Sequence, residues 1–202
     1  MEWIKYHEKE KVFELRTKNS TYQMQVREYD TLVHLYYGSP VGDTLITDRI
    51  MGVDRGFSGN PYEAGTDKTF SLDTLPQEYT AYGNGDYRIN GLETEQADGS
   101  DTANLKYESY KISKGKYSLK GRPAMFAKED AAETLEIVLN DYASGLRAHL
   151  LYGVFPQLDV ITRAVRLENT GTAPVTVKKA MSMEMDYEYR KLDAVHFYGK
   201  HN

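Results

Sequence analysis

The 202-residue chain has no cysteine, which excludes disulfide staples, thiolate metal sites and cysteine nucleophiles together. It also has no apolar run long enough to span a bilayer, and its opening MEWIKYHEKEK is charged where a secretory leader would be apolar. The expectation is a cytoplasmic protein with no membrane partner. Basic residues are dispersed among acidic ones at a net charge of −5, so there is no phosphate-tracking stripe and nucleic acid is not an expected partner. Of the scattered histidines only His196 and His201 are close, and their spacing of five does not suit a zinc pair. No metal or other cofactor is therefore expected. Neither a phosphate loop ending in Lys-Ser/Thr nor a G-x-S-x-G nucleophile elbow occurs, and GNGD at 83–86 reads as a turn.

What the chain does have is tyrosine, 17 residues against 6 Phe and 1 Trp. Tyrosine suits half-buried strands, and it can also stack on sugars while its hydroxyl hydrogen-bonds. Period-2 alternation dominates. VFELRT (12–17), TYQMQVR (21–27) and TLVHLYY (31–37) read as a meander, followed later by YRINGLETE (87–95) and ANLKYESYKIS (103–113). TLEIVLN (134–140) and LRAHLLYGVF (146–155) read as one hairpin, and 158–171 with 173–187 as another around NTGTAP. In the latter, Ile161, Val165 and Leu167 share one face, with Thr162 and Arg166 on the other. AKEDAAET (127–134) is short and polar all round, and reads as loop or a single turn. With no repeat, linker or low-complexity tract, the reading is a single all-β domain over 1–202, with antiparallel strands in two large packed sheets.

Residues 38–86 break the pattern, with Gly, Pro, Asp and Asn every few positions. So long a connection in a compact domain points to function. Within it, GVDRGFSGNP (52–61) presents a charged pair on a glycine-rich loop. Asp54 has a bland reading, as a turn cap or a partner of Arg55 or Arg49, beside a functional one as a ligand of sugar hydroxyls. In FSLDTLPQEY (70–79), Phe70, Leu72, Leu75 and Tyr79 read as anchors of the excursion, with Asp73, Gln77 and Glu78 fixing turns through backbone N–H groups.

DRGFSGNP, TFSLDTLPQEYTAYGNGDYR and LEIVLNDYASGLRAHLLYGVFPQLDVITRAVRLENTG resemble the N-terminal domain of the α-galactosidases of glycoside hydrolase family 36, in the same order and spacing. The resemblance implies a galactose-mutarotase-like β-supersandwich ahead of a catalytic (β/α)8 barrel. That barrel would carry the aspartate nucleophile and acid/base of a retaining hydrolysis of terminal α-galactosides of melibiose and raffinose type. The family's Lys-Trp-Asp nucleophile motif does not occur here, and HFYGKHN ends abruptly, so the chain is expected to continue into the barrel and to be inactive alone. The resemblance further implies a homotetramer, in which this domain completes a neighbour's sugar site. It assigns substrate binding to Asp54, to Lys68, which stands in DKTFSLD where the family has Arg, and to His201, which stands where members place Trp. A stand-alone carbohydrate-binding module or a purely oligomerising domain are the alternatives.

Overall fold

The computed structural model describes residues 2–54, 56, 59–121, 125, 127–128, 131–186, 191, 193 and 195. Strands β1 (Ile4–His7), β2 (Val12–Arg16), β3 (Thr21–Val26) and β4 (Leu32–Gly38) form one antiparallel sheet in sequence order. Strands β6 (Lys106–Lys114), β7 (Glu133–Asp141), β8 (Leu146–Phe155) and β9 (Val160–Asn169) form a second. A two-stranded sheet pairs β5 (Leu92–Gln96) with β10 (Val175–Ala180). The all-β, antiparallel expectation holds, with this small third sheet beside the two large ones. Among the described residues no helix is long and apolar enough to cross a membrane.

Alternation fixes which side chains meet between the large sheets. Phe13 and Leu15 of β2 with Tyr22, Met24 and Val26 of β3 pack in one cluster with Leu135, Ile137 and Leu139 of β7 and Ala148, Leu150, Tyr152 and Val154 of β8. Each large side chain so buried is worth roughly 1.5–3 kcal/mol of transfer free energy. Ile161, Val165 and Leu167 pack against this core as their spacing predicts.

The β1–β4 sheet is covered on its other face as well. Val12, Val33 and Leu35 form a second cluster with Phe70, Leu72 and Leu75, so the excursion after β4 folds back over the sheet. A bulge in β4, between Gln23↔Tyr36 and Met24↔His34, makes Leu35 an extra residue. It leaves both Leu35 and Tyr36 on this covered side. The polar positions Glu14 of β2 and Gln23 of β3 are buried for the same reason. Glu14 and Gln23 are fully buried, and the Gln23 amide donates to Glu14 Oε1 (3.1 Å) and to the Thr44 carbonyl (2.8 Å) and accepts from Ile46 N–H (3.0 Å).

Two expectations need correction. β9 and β10 are consecutive but do not pair, because β9 lies beside β8 and β10 beside β5. The intervening loop is tied to the β7–β8 turn: Thr170 donates through N–H (2.9 Å) and Oγ1 (2.8 Å) to the Gly145 carbonyl. A Cβ on Gly145 would lie 2.6 Å from Gly171 N, so the two turns sit backbone to backbone and the chain leaves in another direction. Within 87–95, only Leu92 onward is strand, because the Arg88 side chain is drawn to the carbonyls of Leu72 and Leu75 instead. The charged opening also contributes a strand, β1, whose entry is held where Trp3 and Ile4 N–H donate to Glu133 Oε2 (3.1 Å each). The 127–134 stretch lies partly outside the described residues, and its last two residues already belong to β7.

Candidate functional site

The Asp54 loop departs from the covered face of the β1–β4 sheet. Met51, Gly52, Val53, Asp54 and Gly56 are all exposed. The Gly56 N–H donates to Asp54 Oδ1 at 2.8 Å, and Gly56 has φ +75°, a conformation that favours glycine. The turn-capping reading of Asp54 is thus present, and it holds the carboxylate at the head of an Asx-type turn. Arg55 lies outside the described residues.

Lys68 is exposed on a second turn. Asp67 Oδ1 accepts from Thr69 N–H (2.8 Å) and Thr69 Oγ1 (2.6 Å), which fixes the backbone on both sides of Lys68. These two bonds hold the Asp67 carboxyl below the usual aspartate range. The Asp54 and Lys68 segments meet where Gly52 packs on Thr69, since a Cβ on Gly52 would lie 3.1 Å from the Thr69 carbonyl oxygen. The Asn60 amide then closes the excursion, donating to the Asp67 (2.9 Å) and Phe70 (2.6 Å) carbonyls. The structure therefore brings the segments of Asp54 and Lys68 together on one exposed edge, while His201 lies outside the described residues. A carboxylate and an ammonium so presented can accept from and donate to the hydroxyls of a sugar. Among the described residues, no group of three or more His, Asp or Glu is placed to hold a metal ion.

Phe70, Leu72 and Leu75 anchor the excursion as their pattern predicts, but Tyr79 joins the main core instead of the outer cluster. The expected bonds from the Gln77 and Glu78 side chains to backbone N–H groups are not the ones seen: Gln77 Nε2 donates to the Leu72 carbonyl at 3.3 Å, and both side chains also reach other side chains. Gln77 Nε2 donates to Asp86 Oδ2 at 2.8 Å. Glu78 is fully buried between the large sheets, where Tyr22 Oη donates to both its oxygens (2.8 Å each) and Tyr152 Oη to Oε1 (2.7 Å). Arg163 Nη1 lies 2.8 Å from the same oxygen, and the guanidinium stacks 4.3 Å from the Tyr152 ring centre. Burial by itself would raise the Glu78 carboxyl, but Arg163, His34 and Tyr152 outweigh it and hold it below the usual glutamate range. Backbone bonds add to this anchor: His34 N–H donates to the Pro76 carbonyl (2.7 Å) and Glu78 N–H to the Leu32 carbonyl (3.0 Å). Arg163 went unnoticed in the sequence, although it occupies the inward register of β9 between Ile161 and Val165. A charge on an otherwise apolar face was the available signal.

The profile of the glycosyl hydrolase family 36 N-terminal domain matches residues 30–202. The chain belongs to this family. It is 48% identical over 199 residues to the bifunctional α-galactosidase/sucrose kinase AgaSK of Mediterraneibacter gnavus, an alignment covering 98% of this chain and 21% of that protein. It is 40% identical over 197 residues to the α-galactosidase AgaA of Geobacillus stearothermophilus, covering 97% of this chain and 27% of that one. The solved galactosidase domain of AgaSK superposes with a TM-score of 0.86 at 49% identity, over 89% of this chain and 25% of that one. An AgaA variant from Geobacillus stearothermophilus in complex with raffinose gives 0.81 at 41% identity, over 86% and 24%. The chain thus spans about a quarter of the length of the proteins it matches.

Proposed function

We propose that this domain belongs to a retaining α-galactosidase acting on terminal α-galactosides of melibiose and raffinose type. In this reading it supports a homotetramer and lends Asp54, Lys68 and His201 to the sugar site of a neighbouring subunit. The chain alone is inactive, and the enzyme is cytoplasmic. One observation carries the reading: Asp54, an exposed carboxylate, heads a glycine turn in a domain whose relatives are α-galactosidases. A structure similar to this one is a complex with raffinose and another a complex with stachyose, which supports galactosides as the substrate class. The carboxylate would accept hydrogen bonds from galactose hydroxyls, each stronger than a neutral one because the acceptor is charged. The Lys68 ammonium would donate as a point charge, without the two-pronged geometry of the family arginine.

The test is Asp54→Ala in the full-length protein. Raffinose hydrolysis should fall by roughly ten- to a hundredfold in kcat/KM, the loss of about one charged hydrogen bond, while the melting temperature stays within experimental error. Wild-type kinetics in that variant would remove Asp54 from the site. Turnover of an aryl α-galactoside by the 202-residue chain alone would contradict its assignment as non-catalytic.

A further inference from the structure

The exposed Asp54 loop is held at its two stems by backbone contacts. Gly52 rests on Thr69, within the excursion itself. Gly59 rests on Gly85, near the far end of the same excursion. A Cβ on Gly59 would lie 2.6 Å from Gly85 Cα, and one on Gly85 would lie 2.8 Å from Gly59 Cα. Both partners are backbone, so neither can swing aside to admit a methyl group.

The turn that carries Gly85 is itself rooted. Gly83, Asn84 and Gly85 all have positive φ, and Asp86 N–H closes the turn onto the Gly83 carbonyl at 3.0 Å. Asp86 is buried, and its carboxylate accepts from Gln77 Nε2 (2.8 Å), Arg88 Nε (2.9 Å) and Arg88 Nη2 (2.8 Å). The same Arg88 nitrogen reaches the carbonyls of Leu72 (3.1 Å) and Leu75 (2.9 Å), whose side chains sit in the outer cluster. On the far side, Asn84 Nδ2 donates to Asn104 Oδ1 at 2.8 Å, just before β6. The turn is therefore clamped to the excursion at one end and to the approach of β6 at the other.

We propose that Gly85 and Gly59 are positioning residues for sugar recognition: their backbone contact sets where the Asp54 loop stands relative to the domain. The link to recognition rests on the assignment of Asp54 to the sugar site, but the mechanical claim does not. A methyl group at either position wedges the loop away from the turn. Gly85 has φ +90°, so Gly85→Ala adds local strain to the wedge, whereas Gly59 does not have positive φ and Gly59→Ala is the cleaner probe. Gly99→Ala is the control, because Gly99 has φ +86° and open space around it.

The experiment has two arms. In the 202-residue chain, hydrogen–deuterium exchange of peptides spanning 50–61 should be roughly tenfold faster in Gly59→Ala and Gly85→Ala than in wild type or Gly99→Ala, while β-strand peptides stay unchanged. In the full-length protein, Gly59→Ala should raise KM for raffinose several-fold with kcat little altered, and this increase should vanish when Asp54 is already alanine. Unchanged exchange in Gly59→Ala overturns the positioning claim whatever Asp54 does. A KM increase that persists in the Asp54→Ala background overturns the route through Asp54. Accelerated exchange together with wild-type kinetics for Asp54→Ala overturns the sugar assignment and leaves the mechanical brace standing.

Discussion

Arg163 Nη1 lies 2.8 Å from Glu78 Oε1, with the two side chains 6% and 0% exposed. The pair joins β9 of one large sheet to the segment that returns from the excursion over the other. Removing one partner of such a pair strands a charge in the interior, which costs about 3–5 kcal/mol. Glu78→Ala should therefore lower the urea midpoint of the chain by that equivalent. A change below about 1 kcal/mol would mean that Arg163 finds water or another acceptor.

The same pair sets an acid dependence. Burial on its own raises the Glu78 carboxyl, and Arg163, His34 and Tyr152 more than reverse this, so its folded pKa is depressed. A depressed carboxylate contributes stability that is present above its unfolded pKa, about 4.3, and is lost as pH falls through the lower folded value. Stability measured by urea denaturation should fall below about pH 4.3 in wild type and fall less steeply in Glu78→Gln. Parallel pH profiles for the two proteins would contradict this.

Gln23 is the hinge of the excursion's first leg. Its amide serves Glu14, the Thr44 carbonyl and the Ile46 N–H at once. Gln23→Ala leaves buried partners unsatisfied and should cost about 1–3 kcal/mol. Amide exchange at Ile46 should accelerate, whereas exchange in β7 and β8 should not. Protection of Ile46 at the wild-type level would show that the backbone there is held by packing alone.

Lys68 occupies a turn already fixed by the Asp67–Thr69 bonds, so its backbone needs no help from the side chain. Lys68→Arg should preserve stability and lower KM for raffinose in the full-length protein by about two- to fivefold, since a guanidinium offers two parallel donors where an ammonium offers one point charge. Lys68→Met should raise KM. Indifference to both substitutions would take Lys68 out of the sugar site.

Strands whose apolar residues alternate were legible from sequence: β2, β3, β7 and β8 fall within a residue or two of their predicted spans. The burial of Glu14 and Gln23 was not legible, because a period-2 pattern cannot say that a distant segment will cover the polar face. The β9–β10 hairpin failed for a related reason. NTGTAP has the composition of a reversing turn, but Gly145 and Gly171 tie it to another turn and redirect the chain. The loop bearing Asp54 was visible through its density of Gly and Pro. Its contact with Gly85 was not, because no local pattern announces that two glycines far apart in sequence will touch.

The pairing of β5 with β10 carries a consequence for the growing chain. Val175 lies opposite Gln96, so β5 is synthesised long before its partner and must wait with the N–H and C=O groups of that edge unpaired. Any product that stops between β9 and β10 would keep that edge bare permanently, and would offer it as a template to a second molecule. Chains ending near Asn169 should therefore be aggregation-prone even though both large sheets are complete.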